Sequence, residues 1–99
     1  MNIDSLGEQA VGSVQDAADL ARRLREEGCS IVQCHGVFDL LHPGHVEHLE
    51  EAKGKGDVLF VTITPDRYVN KGPGRPVFTQ DHRARLLSAL ATVDFVAVT

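Results

Sequence analysis

The 99-residue sequence has no tryptophan, one tyrosine and two cysteines. Each scarcity removes a class of protein. No apolar run approaches the roughly 20 residues needed to cross a bilayer, so no membrane span is predicted. The opening Met1-Asn2-Ile3-Asp4-Ser5 lacks the charged start and apolar stretch of a secretory signal. Cys29 and Cys34 are too few for a disulfide scaffold, and their spacing fits neither a redox pair nor a zinc pattern. They read as buried or neutral thiols in a reducing cytoplasm, with a bridge between them as the alternative. Positive charge is also short. Ten Lys and Arg face fourteen Asp and Glu, for a net charge of -4. Such a chain has no basic footprint for nucleic acid. It contains no internal repeat and no low-complexity tract.

What is present suits a small globular domain: 42% of residues are apolar and the length allows one core with little margin. Residues 1–12 carry two glycines and little periodicity, and are predicted to be a flexible arm. From Ser13, a plausible N-cap with Asp16 in the first turn, the pattern turns helical. Val14, Ala17, Ala18, Ala21 and Leu24 form its apolar stripe, and Gly28 is the predicted stop. Ser30 to His35 reads as a strand. A second helix is predicted to start at Pro43, whose fixed φ suits the first helical position, and to run to about Lys53, burying Val46, Leu49 and Ala52. Val58 to Thr64 is a near-continuous apolar run, as in a central strand covered on both faces. An irregular segment, Pro65 to Phe78, follows. Thr79 then caps a helix from Gln80 to about Ala91, which is predicted to bury Leu86, Leu87 and Leu90. Asp94 to Thr99 is a last strand. This alternation predicts an α/β domain over residues 13–99, a Rossmann-like parallel sheet with flanking helices, represented by its first βαβαβ half.

In such sheets ligands bind beyond the carboxyl ends of the strands. The first such end carries Gly36, Asp39, His42, Gly44 and His45 within ten residues. With Pro43 as the first helical residue, His42 is the cap and His45 lies in the first turn. A helix start is predicted to offer unpaired N–H donors and a partial positive charge to an anion. Two imidazoles add further donors for phosphate oxygens. His48 stands one turn beyond His45, but no cysteine or firm carboxylate completes a metal set, so no metal site is predicted.

The run Gly36-Val37-Phe38-Asp39-Leu40-Leu41-His42-Pro43-Gly44-His45 closely resembles the signature of the cytidylyltransferase-like nucleotidyltransferase superfamily, a distant relative of the HIGH motif of class I aminoacyl-tRNA synthetases. The segment Lys71-Gly72-Pro73-Gly74-Arg75-Pro76, then Arg83 and Val93-Asp94, resembles the nucleotidyltransferase domain of bacterial ADP-heptose synthases. The likeness runs from about Ile31 to Thr99. It implies a HUP-type sheet with strand order 3-2-1-4-5, continued beyond the third strand by two strands and a Ser/Thr-rich helix start that holds the triphosphate. The chain therefore reads as the N-terminal part of such a domain. With no fourth strand, Ile31–Cys34 would be an open edge, predicted to recruit a second copy as a homodimer or domain-swapped oligomer.

The resemblance also implies roles. A nucleotidyl group would pass from CTP or ATP to a phosphorylated sugar or polyol, releasing pyrophosphate, with Mg2+ accompanying the triphosphate. Such enzymes often adjoin a sugar kinase. His42, His45 and Lys71 would be catalytic. Gly36, Val37, Phe38, Asp39, Gly44 and Arg83 would bind the nucleotide, and Asp66 and Arg75 the second substrate. Several residues have plainer readings. Asp39 could accept backbone N–H bonds within its own turn, Arg83 could pair with Asp81 or a nearby Glu, and His35 could be a satisfied core histidine. The rival to an active enzyme is a nucleotide-binding, self-associating module without turnover.

Overall fold

Apolar and β-branched side chains along Val58–Ile63 require cover on both faces of the sheet, and the fold supplies it. The computed structural model describes residues 11–69 and 72–99. Its elements are β1 (Val11–Ser13), α1 (Val14–Glu26), β2 (Ile31–Gly36), α2 (Pro43–Lys53), β3 (Val58–Ile63), a 3-10 turn (Asp66–Tyr68), α3 (Gln80–Ser88) and β4 (Phe95–Val98). The strands lie in the order β1-β4-β3-β2, all parallel. All six residues of β3 are buried. Alternation with period two sends Leu59, Val61 and Ile63 toward α2 and α3. It sends Val58 and Phe60 toward α1 on the opposite face. The predicted Rossmann-like parallel sheet is thus present, and the three predicted strands stand in the order 3-2-1.

Three expectations need correction. Residues 1–10 of the predicted arm lie outside the described residues, but Val11–Ser13 is a strand, pairing Val11 with Val96 and Ser13 with Val98. The outer edge of β4 offers backbone groups that a short segment entering α1 can satisfy. Gly12 permits the approach, since a Cβ there would meet Phe95 Cζ at 2.8 Å and Asp16 Oδ2 at 2.9 Å. The buried face of α1 is Ala17, Leu20, Ala21 and Leu24, while Val14 is exposed. The stripe is rotated because Leu20 is one turn from both Ala17 and Leu24. In α3, which ends at Ser88, the buried residues are Arg83, Ala84 and Leu87. Leu86 is 43% exposed, because it points about 100° around the helix from Leu87.

The predicted helix boundaries have local causes. Ser13 Oγ accepts from Asp16 N, and Asp16 Oδ2 accepts from Ser13 N. Gly28, at φ +89, turns the chain out of α1. Pro43 opens α2 behind the His42 cap. Asp94 anchors the core-side return, accepting from Lys53 Nζ and Leu59 N. Both cysteines are unpaired, and burial pushes the Cys34 thiol up.

The orientation of α3 gives a direct test. Leu87→Ala should lower unfolding free energy by about 2–5 kcal/mol, whereas Leu86→Ala should change it by no more than about 0.5 kcal/mol. Urea denaturation of both variants would measure this, and equal losses would contradict the assigned face.

Candidate active site

The carboxyl end of β2 must turn sharply to deliver the chain to α2, and the turn is built around Phe38. Its φ of +51 is unusual for a residue with a side chain, a conformation that costs about 1–3 kcal/mol. Burial of the ring, 9% exposed, helps to offset that cost. Gly36 leaves room for it, as a Cβ there would lie 2.8 Å from the ring. Val37, beside it, contributes a carbonyl to Arg83 Nη1 at 2.9 Å.

The two histidines of the motif come together. Their ring centroids are 4.0 Å apart, and the His45 ring meets Phe38 edge-on at 5.6 Å. His42 Nδ1 accepts from Gly44 N at 3.0 Å, and His45 Nδ1 accepts from His42 N at 3.2 Å. Gly44 is required here, since a Cβ would lie 2.8 Å from His42 Cε1. This pattern revises the expected source of donors. Pro43 has no N–H, the amides of His42 and Gly44 serve the rings, and His45 N donates to His42 O. The start of α2 therefore does not present unpaired amides. With both Nδ1 atoms accepting, hydrogen bonding assigns the proton of each neutral imidazole to Nε2. The helix terminus is satisfied by the rings.

Asp39 holds a remote segment against this turn. Its carboxylate is 3% exposed and accepts from Arg75 Nε, Val77 N and Phe78 N. Burial pushes its pKa up, but the N–H groups of Phe78 and Val77 and the Arg75 guanidinium outweigh that and bring it down to about 2. Its bonds thus reach 36 to 39 residues along the chain, rather than remaining in its own turn.

Arg83 has no exposed surface. It donates from Nε to Phe78 O, from Nη1 to Val37 O and Thr64 O, and from Nη2 to Asp66 Oδ1. Its carboxylate partner is Asp66, rather than the Asp81 or nearby Glu of the plainer reading. Asp66 is fixed a second time, its N–H donating to Gln80 Oε1. The structure therefore gathers Gly36 to His45, Asp66, Arg75 and Arg83 into one connected region. Arg83 sits within its wall, and Arg75 is joined to Asp39. Lys71 lies outside the described residues. His35 is exposed on β2, with Nδ1 2.8 Å from Thr62 Oγ1, so it is not a core histidine. His48 is exposed on the next turn of α2. Among the described residues no three His, Cys, Asp or Glu side chains converge to hold a metal.

Sequence reasoning missed Gln80, Thr64 and the amides of Val77 and Phe78 as site-building groups. Thr64 and Phe78 act on Arg83 through carbonyls, which no side-chain pattern reveals. An open cleft of about 430 Å³ lies elsewhere, between α1 and the β2–β3 face, with Val14, Ala18, Ile31 and Thr62 in its lining. It is on the sheet face opposite α2 and does not touch the histidines.

Comparisons with known proteins show the family and the fold. Residues 33–99 match the family model described as Cytidylyltransferase-like. The bifunctional protein HldE of Paramagnetospirillum magneticum is 46% identical over 96 residues, 95% of this chain and 20% of that protein. The HldE of Aliarcobacter butzleri is 41% identical over 90 residues, 89% of this chain and 19% of that protein. The chain thus spans about a fifth of the length of these relatives. A solved structure, the lipopolysaccharide core biosynthesis protein of Thermoplasma volcanium, superposes with a TM-score of 0.67 at 35% identity. That match covers 72% of this chain and 58% of the other.

The Asp39 clasp predicts a pH dependence. Its folded pKa lies below the ordinary 3.8, so its stabilisation is complete above about pH 4 and is lost as pH falls toward 2. Asp39→Asn should weaken the protein at pH 5 and flatten the decline of stability between pH 4 and 2. A residual slope should remain. Asp16 and Asp57 are also held below the usual range, by bonds from Ser13 and Ser30. Urea midpoints across that window would decide, and an unchanged slope in the variant would count against the clasp.

Proposed function

Because the chain belongs to the cytidylyltransferase-like family, we propose that it contributes the histidine-bearing part of a nucleotidyltransferase that joins CTP or ATP to a phosphorylated sugar or polyol. The observation carrying this reading is the pair of imidazoles 4.0 Å apart, each with Nδ1 accepting from the backbone at the start of α2, which assigns the ring proton to Nε2. A phosphate oxygen of the acceptor attacks the α-phosphorus of the triphosphate. The new P–O bond forms as the bond to pyrophosphate breaks. The acceptor phosphate is already ionised near neutral pH, so no strong base is needed, and catalysis is alignment plus charge stabilisation.

His42 and His45 stabilise charge that builds on the triphosphate. Gly44 lets the His42 ring lie against the helix start. Gly36, Val37, Phe38 and Asp39 shape the turn that carries the histidines toward the nucleotide. Lys71 adds positive charge to the phosphates. Asp66 and Arg75 face the acceptor substrate from the second strand end and from the segment that Asp39 holds. The Asp39 and Asp66 carboxylates are already paired with Arg75 and Arg83, and imidazoles suit Mg2+ poorly. The described residues therefore do not fit a protein-held magnesium site, and the ion is assigned to the triphosphate itself. A sugar acceptor is supported by the neighbour named for lipopolysaccharide core biosynthesis. The name "bifunctional" supports a second, linked activity, which we assign to a sugar kinase. No described helix is long and apolar enough to cross a membrane; the reading assigns the enzyme to the cytoplasm.

A second reading is favoured by one observation: β2 ends the described sheet, with β3 as its single neighbour. On that reading the 99-residue chain binds nucleotide and self-associates through this edge without turnover.

The first reading predicts that the full-length protein releases pyrophosphate from CTP or ATP only when a sugar or polyol phosphate is supplied. His42→Ala and His45→Ala should each lower turnover by about 100-fold or more, with unchanged circular dichroism. Near-normal turnover in either variant would remove the proposed role. For the second reading, light scattering should show dimers or larger species of the 99-residue chain. A stable monomer at high concentration would reject it.

A further inference from the structure

Arg83 is the largest fully buried side chain of the described residues, and its position is costly unless every bond is made. A guanidinium removed from water loses several kcal/mol of hydration, which only close acceptors recover. Here four oxygens do so, from separate stretches that meet above the strand ends. Val37 O belongs to the turn after β2, Thr64 O to the exit of β3, Asp66 Oδ1 to the 3-10 turn, and Phe78 O to the segment entering α3. Phe78 is held from both sides, its N–H by Asp39 and its carbonyl by Arg83. Val37 directly precedes left-handed Phe38 and lies two residues before Asp39. The two residues form a closed frame: Asp39 and Arg83 each grip both the histidine-bearing turn and the 75–78 segment.

We propose that Arg83 is a positioning residue of the nucleotidyltransferase site. Working from inside the protein, it sets the spacing between the turn that carries His42 and His45 and the segment that carries Asp66 and Arg75. The donors it would need to bind a phosphate directly are committed: four of its five N–H groups already serve protein oxygens. The guanidinium fork is essential because no single ammonium can reach four divergent acceptors. The inference rests on the nucleotidyltransferase reading. It adds that the site depends on a cation that never touches the substrate.

The test is Arg83→Lys in the full-length protein, read by steady-state pyrophosphate release and by amide hydrogen exchange. A spacing error of about 1 Å lowers the rate by about 100-fold. A folded Arg83→Lys should therefore lose about 100-fold in kcat while the KM for the triphosphate stays within about threefold. The Val77 and Phe78 amides should exchange faster. A raised KM with preserved kcat would mean direct phosphate binding and would overturn the proposal. So would kinetics left unchanged. Should Arg83→Lys fail to fold, Gln80→Ala releases only the Asp66 backbone and should show the same split with a smaller loss of kcat. An unaltered kcat there would overturn the proposal as well. The two readings fail separately. A wild-type protein that releases no pyrophosphate with any sugar phosphate removes the nucleotidyltransferase reading. Exchange at Val77 and Phe78 still judges whether Arg83 or its Gln80-supported partner holds the frame.

Discussion

A single buried carboxylate holds together the two halves of the candidate site. Asp39 sits in the turn after β2, yet its partners are Arg75, Val77 and Phe78. The core beneath is apolar and includes Phe38 from that same turn. The placement of the histidines relative to the 72–78 segment rests on the Asp39 carboxylate. Ionised and supplied with backbone donors, Asp39 fixes a loop whose apolar side chains, Val77 and Phe78, stay exposed. Arg83 completes the frame from below, binding the opposite side of Phe78 and the carbonyl of Val37. The functional region is thus stabilised by charge and hydrogen bonds resting on a hydrocarbon base.

That arrangement explains how two imidazoles are oriented at the surface of a small domain. A helix terminus usually needs a capping side chain, and α2 uses His42 for this purpose. Its Nδ1 satisfies Gly44 N, while His45 Nδ1 satisfies His42 N. Capping therefore uses the Nδ1 edge of each ring and assigns its proton to the Nε2 edge. The backbone determines which nitrogen accepts, and the tautomer then determines which nitrogen donates to a ligand. Pro43 supports this geometry because it starts the helix without adding another amide that needs a partner.

The sequence made some of this legible and concealed the rest for identifiable reasons. The strands at Val58–Ile63 and Phe95–Val98 were readable because burial on both faces leaves continuous apolar runs. The start of α2 was readable because Pro43 and two flanking histidines mark it locally. The meeting of His42 and His45 followed from helical spacing alone. Leu86 was misjudged because hydrophobicity does not specify which side of α3 faces the sheet. Arg83, a charged residue, occupies the buried position one helical turn before Leu87. The unpaired amides anticipated at α2 were absent because the side chains proposed to work beside them already bind them. The partners of Asp39, and the Val37 carbonyl that Arg83 binds, were invisible because contacts across 36 to 46 residues leave no periodic trace in one sequence. Val11–Ser13 looked like an arm because three residues are too few to show alternation.

The central claim is that His42 and His45 present Nε2–H to a triphosphate while their Nδ1 atoms remain bound to the start of α2. Nitrogen-15 NMR of histidine-labelled full-length protein tests it most directly. The account predicts that both residues are Nε2–H tautomers, with Nε2 resonances that move on addition of CTP or ATP while those of exposed His48 do not. Nδ1–H tautomers, or resonances indifferent to saturating nucleotide, would contradict it.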